Sequence, residues 1–436
     1  MGRASLVLAA IAVAALAPAC ASFKPQPLEE IGFRDRVETA SRNGLTVSVA
    51  VLSRDEARRA FGVDLYGKQI QPVWLRIENQ TQRPYRFLRH GIDPQYFSAH
   101  EAAYKSHFSW QPRTNRRMDN HFDRLGIIPT VPALGSTEGF AFTNAKLGIK
   151  GVRIRLLTER SVEDFQFYLS VPGFRADWHE VDWEGLYAED EWVELESEEE
   201  LLDVIRSLPC CTTRKTGTGE GDPLNLIVIS RERALQAFVR AGWDETELLT
   251  FRSGLRTVRA FFGGVYKYSP MSALYVFGRP QDIGLQKARD TIHERNHLRL
   301  WLSPWLYRGR IVWVGAISRD IGVYFTRRAW NLTTHAIDPD IDEARDYLAE
   351  DLATAETVER FGLIEGVGAS TPDDPRRNLM MAPWWSDGDR AVFLLSDENI
   401  PLDQLNFFDW YEFGSRERRL EGQELKGGRP TAPEGQ

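Results

Sequence analysis

The sequence predicts an all-β domain followed by an α+β domain: an N-terminal antiparallel β-sandwich, then a mixed α/β domain. Three observations carry this. In the first part, apolar residues alternate with period two: Leu45, Val47, Val49 and Val51; Val73, Leu75 and Ile77; Val152, Ile154 and Leu156; Phe165, Phe167 and Leu169. That alternation, broken by turn residues such as Asn79-Gln-Thr and Gly148, marks half-buried antiparallel strands. Helix-spaced apolar residues interleaved with short strands come later. Finally, 436 residues exceed what one hydrophobic core organises, while 42% hydrophobic and 11% aromatic content supplies two.

The chain opens with Arg3, an apolar run from Leu6 to Leu16, and Ala17-Pro18-Ala19 before Cys20. The run is too short to span a bilayer and reads as a removed signal peptide, residues 1–19. Small residues before a lone cysteine resemble a bacterial lipobox, in which the Cys20 thiol receives diacylglycerol, although Leu16 sits one place further upstream than the usual pattern. Acyl chains would then anchor the protein to a membrane, and Ala21 points to the outer one. Cleavage after Ala19 without lipidation would instead give a soluble exported protein.

Residues 20–43, polar and proline-containing, read as a tether. Residues 44–176 hold the sandwich. Between two of its strands lies the insertion His90 to His121, with four histidines among aromatic and basic residues; a short helix at Ala99 to His107 and a capping loop are expected, since the histidine spacing fits no metal motif. Residues 177–204, ending in Glu196-Ser-Glu-Glu-Glu, read as an acidic, solvated linker and helix start. Cys210 and Cys211 are adjacent; a bridge between neighbours departs from ordinary disulfide geometry, so two buried thiols are expected.

The α+β domain, residues 205–396, starts with the apolar strand Leu226 to Ile229 and a helix carrying Ala234, Leu235, Phe238 and Val239 on one face, ended by Gly242. A helix near Leu255 to Phe262 and a strand at Ala273 to Phe277 follow. His297 to Leu302 and Ile311 to Ile317 form a hairpin around Tyr307-Arg-Gly-Arg, with a third strand near Gly322 to Phe325. Ile341 to Thr354 is an amphipathic helix, with Asp340 and Asp342 at its positive end. Val358 to Ile364 and Arg390 to Leu395, after the turn Asp387-Gly388, complete the strands. Residues 397–436 form a tail, charged and Gly/Pro-rich from about Gly414.

Gly221-Asp-Pro-Leu-Asn-Leu-Ile, Ala273-Leu-Tyr-Val-Phe-Gly-Arg-Pro-Gln-Asp, His297-Leu-Arg-Leu-Trp, Trp313-Val-Gly-Ala-Ile-Ser-Arg-Asp and His335-Ala-Ile-Asp-Pro-Asp-Ile-Asp, in that order, resemble the LssY-like C-terminal domain family over residues 205–395. The resemblance excludes the sandwich. It implies an association with the bacterial envelope, since some members are fused to membrane-embedded lipid-phosphatase segments, but no established reaction.

His293-Glu294-x-x-His297 formally matches a zinc-protease pattern, which needs a helix to put both imidazoles on one face. Here His297 opens a strand, which contradicts it. A better candidate set is His297, His335 and Asp338 near a reacting centre, with Arg299, Arg319, Asp320 and Asp342 binding around it. Two histidines with carboxylates suit a divalent metal, and arginines suit phosphate or carboxylate. The same residues can equally satisfy one another through helix caps and ion pairs, as Arg299 with Asp320 would. No cofactor is assigned. The net charge of −8 and the absence of a recognised motif exclude a nucleic-acid partner. The expectation is therefore a lipid-anchored envelope protein that binds or scaffolds an envelope protein or lipid-linked ligand; the alternative is a metal-assisted hydrolase of a phosphorylated or lipid-linked envelope molecule.

Overall fold

A computed structural model describes residues 23–231, 234–246, 271–288, 294–325 and 333–411, with the backbone alone considered at 323–325 and 333–335. The signal peptide, Cys20, the helix expected at Leu255 to Phe262 and the tail from 412 lie outside the described residues. The chain divides into two units after Gly173.

In the first unit the strands are β1 (Glu38–Arg42), β2 (Leu45–Val51), β3 (Ile70–Asn79), β4 (Tyr85–Phe87), β5 (Thr130–Val131), β6 (Gly135–Asn144), β7 (Ile149–Leu157) and β8 (Val162–Ser170). They form two antiparallel four-stranded sheets, ordered β1-β2-β3-β6 and β5-β4-β7-β8. The alternating residues of β2, β3, β7 and β8 meet between the sheets: Val47, Val49, Leu75, Ile77, Val152, Ile154, Phe165 and Phe167 are buried in one cluster. Burying one face of each sheet in this way is what period-two patterning encodes.

The other face of the first sheet is also covered. Ala50, Trp74, Phe140 and Phe142 pack against helices α1 (Arg54–Phe61) and α3 (Pro112–Leu125) and against Phe23, Ile31 and Phe33. Residues 23–36 are thus no extended tether. They form two 3₁₀ turns, Phe23, Ile31 and Phe33 of this segment are buried, and β1 then pairs along β2. The insertion holds two helices rather than one: α2 (Ala99–Tyr104) is shorter than expected, and α3 follows, with Pro112 at its first position and Met118 and Phe122 buried one turn apart.

The second unit is built on a ten-stranded mixed sheet. Its strands include β9 (Val193–Leu195), β10 (Leu226–Ser230), β11 (Asp244–Glu245), β14 (Ile283–Ala288), β15 (Glu294–Tyr307), β16 (Arg310–Phe325), β17 (Thr333–Ile337), β18 (Val358–Glu365), β21 (Asp389–Leu395) and β22 (Asn406–Phe407). Two short ribbons, β12 (Tyr275–Val276) with β13 (Arg279–Pro280) and β19 (Arg376–Arg377) with β20 (Pro383–Trp384), stand apart. The strand expected at Ala273 to Phe277 is reduced to the first ribbon because the chain reverses at Phe277-Gly278, both with positive φ.

The β15–β16 hairpin turns at Arg308 and Gly309, both left-handed, the two-residue geometry whose twist matches the strands it joins. β16 continues through Gly322 to Phe325 in one piece, so no separate third strand exists there; a bulge near Asp320 and Gly322 marks where β17 begins to pair. Alternation along the hairpin gives the sheet two apolar faces. Leu298, Leu300, Leu302, Trp313 and Ile317 face α5 (Ala234–Arg240) and α6 (Asp342–Thr354), while Trp301, Val312 and Val314 face α4 (Glu198–Ser207). The acidic stretch expected as a linker belongs to this unit: Trp178, Trp183, Tyr187 and Trp192 pack on the core between the sheet and helices α5 and α6, and β9 pairs in parallel with β15.

Candidate functional site

Beyond the patch covered by α4, that face of the sheet turns polar. Register places Gln286 opposite His297, His297 opposite Ser318, and Arg295 opposite Asp320, so all five side chains lie on one face of neighbouring strands. All are buried. His297 Nε2 lies 2.6 Å from Asp320 Oδ2, and Arg295 Nε is 3.6 Å from the same oxygen. Arg295 also donates to Gln286 Oε1. Burial holds the His297 imidazole well below its ordinary range, at about 4; the Asp320 carboxylate opposes this, and the Arg295 and Arg299 charges add to it. His297 is therefore a neutral imidazole at pH 7. Glu294 and His297 sit on a strand, so the helical geometry a zinc protease requires is absent there.

Arg299 does not pair with Asp320. Its Nη1 lies 3.4 Å from Asp222 Oδ2, and Asn378 Nδ2 donates to the other Asp222 oxygen at 3.2 Å. Asn225, from the same segment as Asp222, exchanges two hydrogen bonds with the backbone of Ile317. Arg319 points to the other face: its Nε donates to Asn296, and its guanidinium stacks 5.4 Å from the Tyr347 ring of α6.

His335 is opposite Val323, five residues along β16 from Ser318, the partner of His297. At about 3.3 Å per residue this separates the two backbone positions by roughly 16 Å along the sheet. The register thus brings His297 to Asp320 and not to His335. Asp338 and Asp340 step the chain into α6: Asp338 accepts from the backbone of Asp340 and Asp340 from that of Asp342, each at 3.2 Å. Asp342 accepts from Ser386 and from the Asp387 backbone, and lies 3.2 Å from Arg345.

Arg345 is the charged residue the sequence did not single out. Fully buried, it makes two parallel bonds to Asp387 (2.8 and 3.0 Å), two to Asp346, and one to the Asp389 carbonyl. Burial works against its charge, but the bond to Asp387 and the surrounding carboxylates keep its pKa above the ordinary value. Arg390, also buried, donates to the carbonyls of Ile205, Leu208, Pro209 and Gly366, closing the C-terminal end of α4.

Cys210 and Cys211 are joined in a vicinal disulfide, contrary to the two thiols expected. The bridge is held between Arg376 and the segment before β10: Arg376 Nη2 lies 2.8 Å from Cys210 Sγ and 2.9 Å from Glu220 Oε2, with its guanidinium over the Trp384 ring. Among the described residues, Cys210, Cys211 and Glu220 are the group whose ligand atoms come within 4.8 Å of one another. With the sulfurs bonded together and a guanidinium between them and the carboxylate, that group carries its own cation and does not fit a metal. In the insertion of the first unit, His107 and His100 both approach Asp119, at 2.7 and 3.7 Å, while His121 donates to the Ala60 carbonyl.

Residues 202–389 match the family model described as LssY C-terminus. No curated protein matches the chain.

The buried imidazole sets a pH dependence. Unfolded, a histidine takes up a proton near pH 6.5; folded, His297 resists until about 4. Stability that is full above pH 6.5 is therefore lost as pH falls towards 4, by an amount on the order of 3 kcal/mol. A His297→Gln variant, which cannot titrate, should show a correspondingly shallower loss of urea stability between pH 6.5 and 4 than the parent. Parallel curves would mean that His297 is protonated in the folded chain.

Proposed function

We propose that this chain is a lipid-anchored bacterial envelope protein, exported and held through Cys20 to a membrane facing the periplasm, the outer one by its Ala21. In this reading its sandwich and its LssY-type domain serve as a binding or scaffold module for an envelope protein or a lipid-linked ligand. The observation that supports a binding role is that the charged residues of the second unit satisfy one another. His297 is taken by Asp320, Arg299 by Asp222, and Arg345 by Asp387 and Asp346. Such residues fix a surface rather than stand ready to react. Among the described residues no helix is long and apolar enough to cross a membrane. Blocking lipoprotein signal peptidase with globomycin should make the unprocessed precursor accumulate; unchanged processing would reject the anchor.

One observation favours the second reading, a metal-assisted hydrolase, at His297 alone of the expected set His297, His335 and Asp338, since the register sets His335 apart from it. The neutral imidazole of His297 beside a carboxylate is the pairing that orients metal-ligating histidines. Metal analysis of the purified protein separates the two. The binding module predicts no stoichiometric zinc or manganese. Metal at one equivalent, lost in a folded His297→Ala variant, would instead favour the hydrolase.

A further inference from the structure

The polar face of α3 is opposite its buried one. Met118 and Phe122 are buried, whereas Arg113, Arg117, Asn120 and Arg124, spaced by four, three and four residues, form a single stripe on the far side of the helix. Arg116 flanks it, giving four arginines against Asp119 and Asp123 in a chain whose net charge is −8. Asp119 is engaged by His107, which leaves Asp123 as the carboxylate on the stripe side.

The loop leading into α3 presents Trp110 to solvent with 99% of its surface exposed, and the end of α2 presents Tyr104 with 67%. Trp110 is held out in a left-handed backbone conformation, φ +62°, which a tryptophan adopts only when its surroundings impose it. They do: Asn115 brackets Phe108 with two hydrogen bonds of 2.9 Å, and His107 is tied to Asp119 at 2.7 Å. A rigid, fully exposed indole beside a row of guanidiniums is costly in water and suited to a bilayer interface, where the ring sits at headgroup depth and arginines meet phosphates.

The path of the chain says what covers this surface. Arg117 Nη2 donates to the Phe23 carbonyl at 3.3 Å, and the Phe23 ring packs edge-on against His121 at 5.7 Å. Phe23, Pro25, Arg117, Asn120, His121, Asp123 and Arg124 line one open cavity of about 610 Å³. Cys20 is three residues before Phe23, so its backbone cannot be more than about 11 Å from that of Phe23, which touches the stripe at Arg117.

We infer that the arginine stripe of α3, with Trp110 at its leading end, is a second membrane contact that binds the anionic headgroups of a glycerophospholipid bilayer. The inference rests on the anchor reading for its orientation, but it has its own chemistry. The diacylglycerol of the anchor would hold the chain at the bilayer, and a basic patch beside it would fix which face of the unit meets the headgroups. Each arginine near an anionic surface adds attraction that weakens with salt.

The test uses the full chain carrying Cys20→Ser, exported and purified so that no acyl group contributes. It should sediment with vesicles of phosphatidylcholine mixed with phosphatidylglycerol and not with phosphatidylcholine alone. Arg113→Glu/Arg124→Glu, which spares the bond from Arg117 to Phe23, should weaken that binding by about tenfold or more, and added salt should abolish it. Trp110→Ala, at a site that packs against nothing, should weaken it several-fold with folding unchanged. No sedimentation, equal sedimentation with both vesicles, or unchanged binding by both variants would overturn the inference; capture by a protein partner through the same residues without vesicle binding would overturn it as well. The intact mass of the wild-type protein reports separately on acylation, so loss of the anchor reading and loss of this contact are told apart.

Discussion

The second unit depends on two arginines buried at one turn. Ser386 to Arg390 leads into β21, a strand in the middle of the ten-stranded sheet, and both faces of that sheet are tied to it there. On one face Arg345 of α6 grips Asp387 in a two-pronged ion pair and reaches the Asp389 carbonyl. On the other, Arg390 caps the carbonyl end of α4. A guanidinium removed from water keeps its charge only if its donors find acceptors; Asp387, Asp346 and the Asp389 carbonyl supply them to Arg345, and a row of carbonyls takes both terminal nitrogens of Arg390. The helices on opposite faces are thereby set against the same five residues of chain.

Seen from that turn, the polar strip around His297 is a continuation of the same design. The hairpin of β15 and β16 puts leucines on one face and Arg295, His297 and Arg299 on the other. The apolar face is covered by helices. The other carries positive groups matched by Asp320 and Asp222, and Asp222 is brought in by the Gly221-Asp-Pro-Leu-Asn segment, one of the stretches that resembles the family. The histidine stays neutral because the strip is dry and two guanidiniums stand near it. Matched charge of this kind defines a shape and resists rearrangement.

How much of this was legible follows from how far each signal reaches along the chain. The sandwich strands and the main hairpin were readable because alternation and a left-handed Arg-Gly turn are local. The meeting of His297 with Asp320 is a consequence of hairpin register. Partners far apart in sequence were not readable. Nothing near Arg299 announces Asp222, and nothing near Arg345 announces Asp387, because those pairs exist only once the sheet is assembled. Residues 23–36 looked like a tether because Phe23, Ile31 and Phe33 have no periodicity, although each is buried. α3 did leave a trace in Pro112 and the Met118–Phe122 pair, masked by its many arginines. The adjacent cysteines misled because the general preference of disulfides for wider spacing outweighed the local fact of a bridge.

If buried charge holds the second unit together, removing the cation at its centre must unfold it more readily. Equilibrium urea unfolding of Arg345→Met, followed through the transition of the second unit, is the most direct measure. The expected result is a loss of about 3–5 kcal/mol, because Asp387 and its neighbours are left buried without a counter-charge. A variant as stable as the parent would contradict the account and return those carboxylates to some role other than holding the fold.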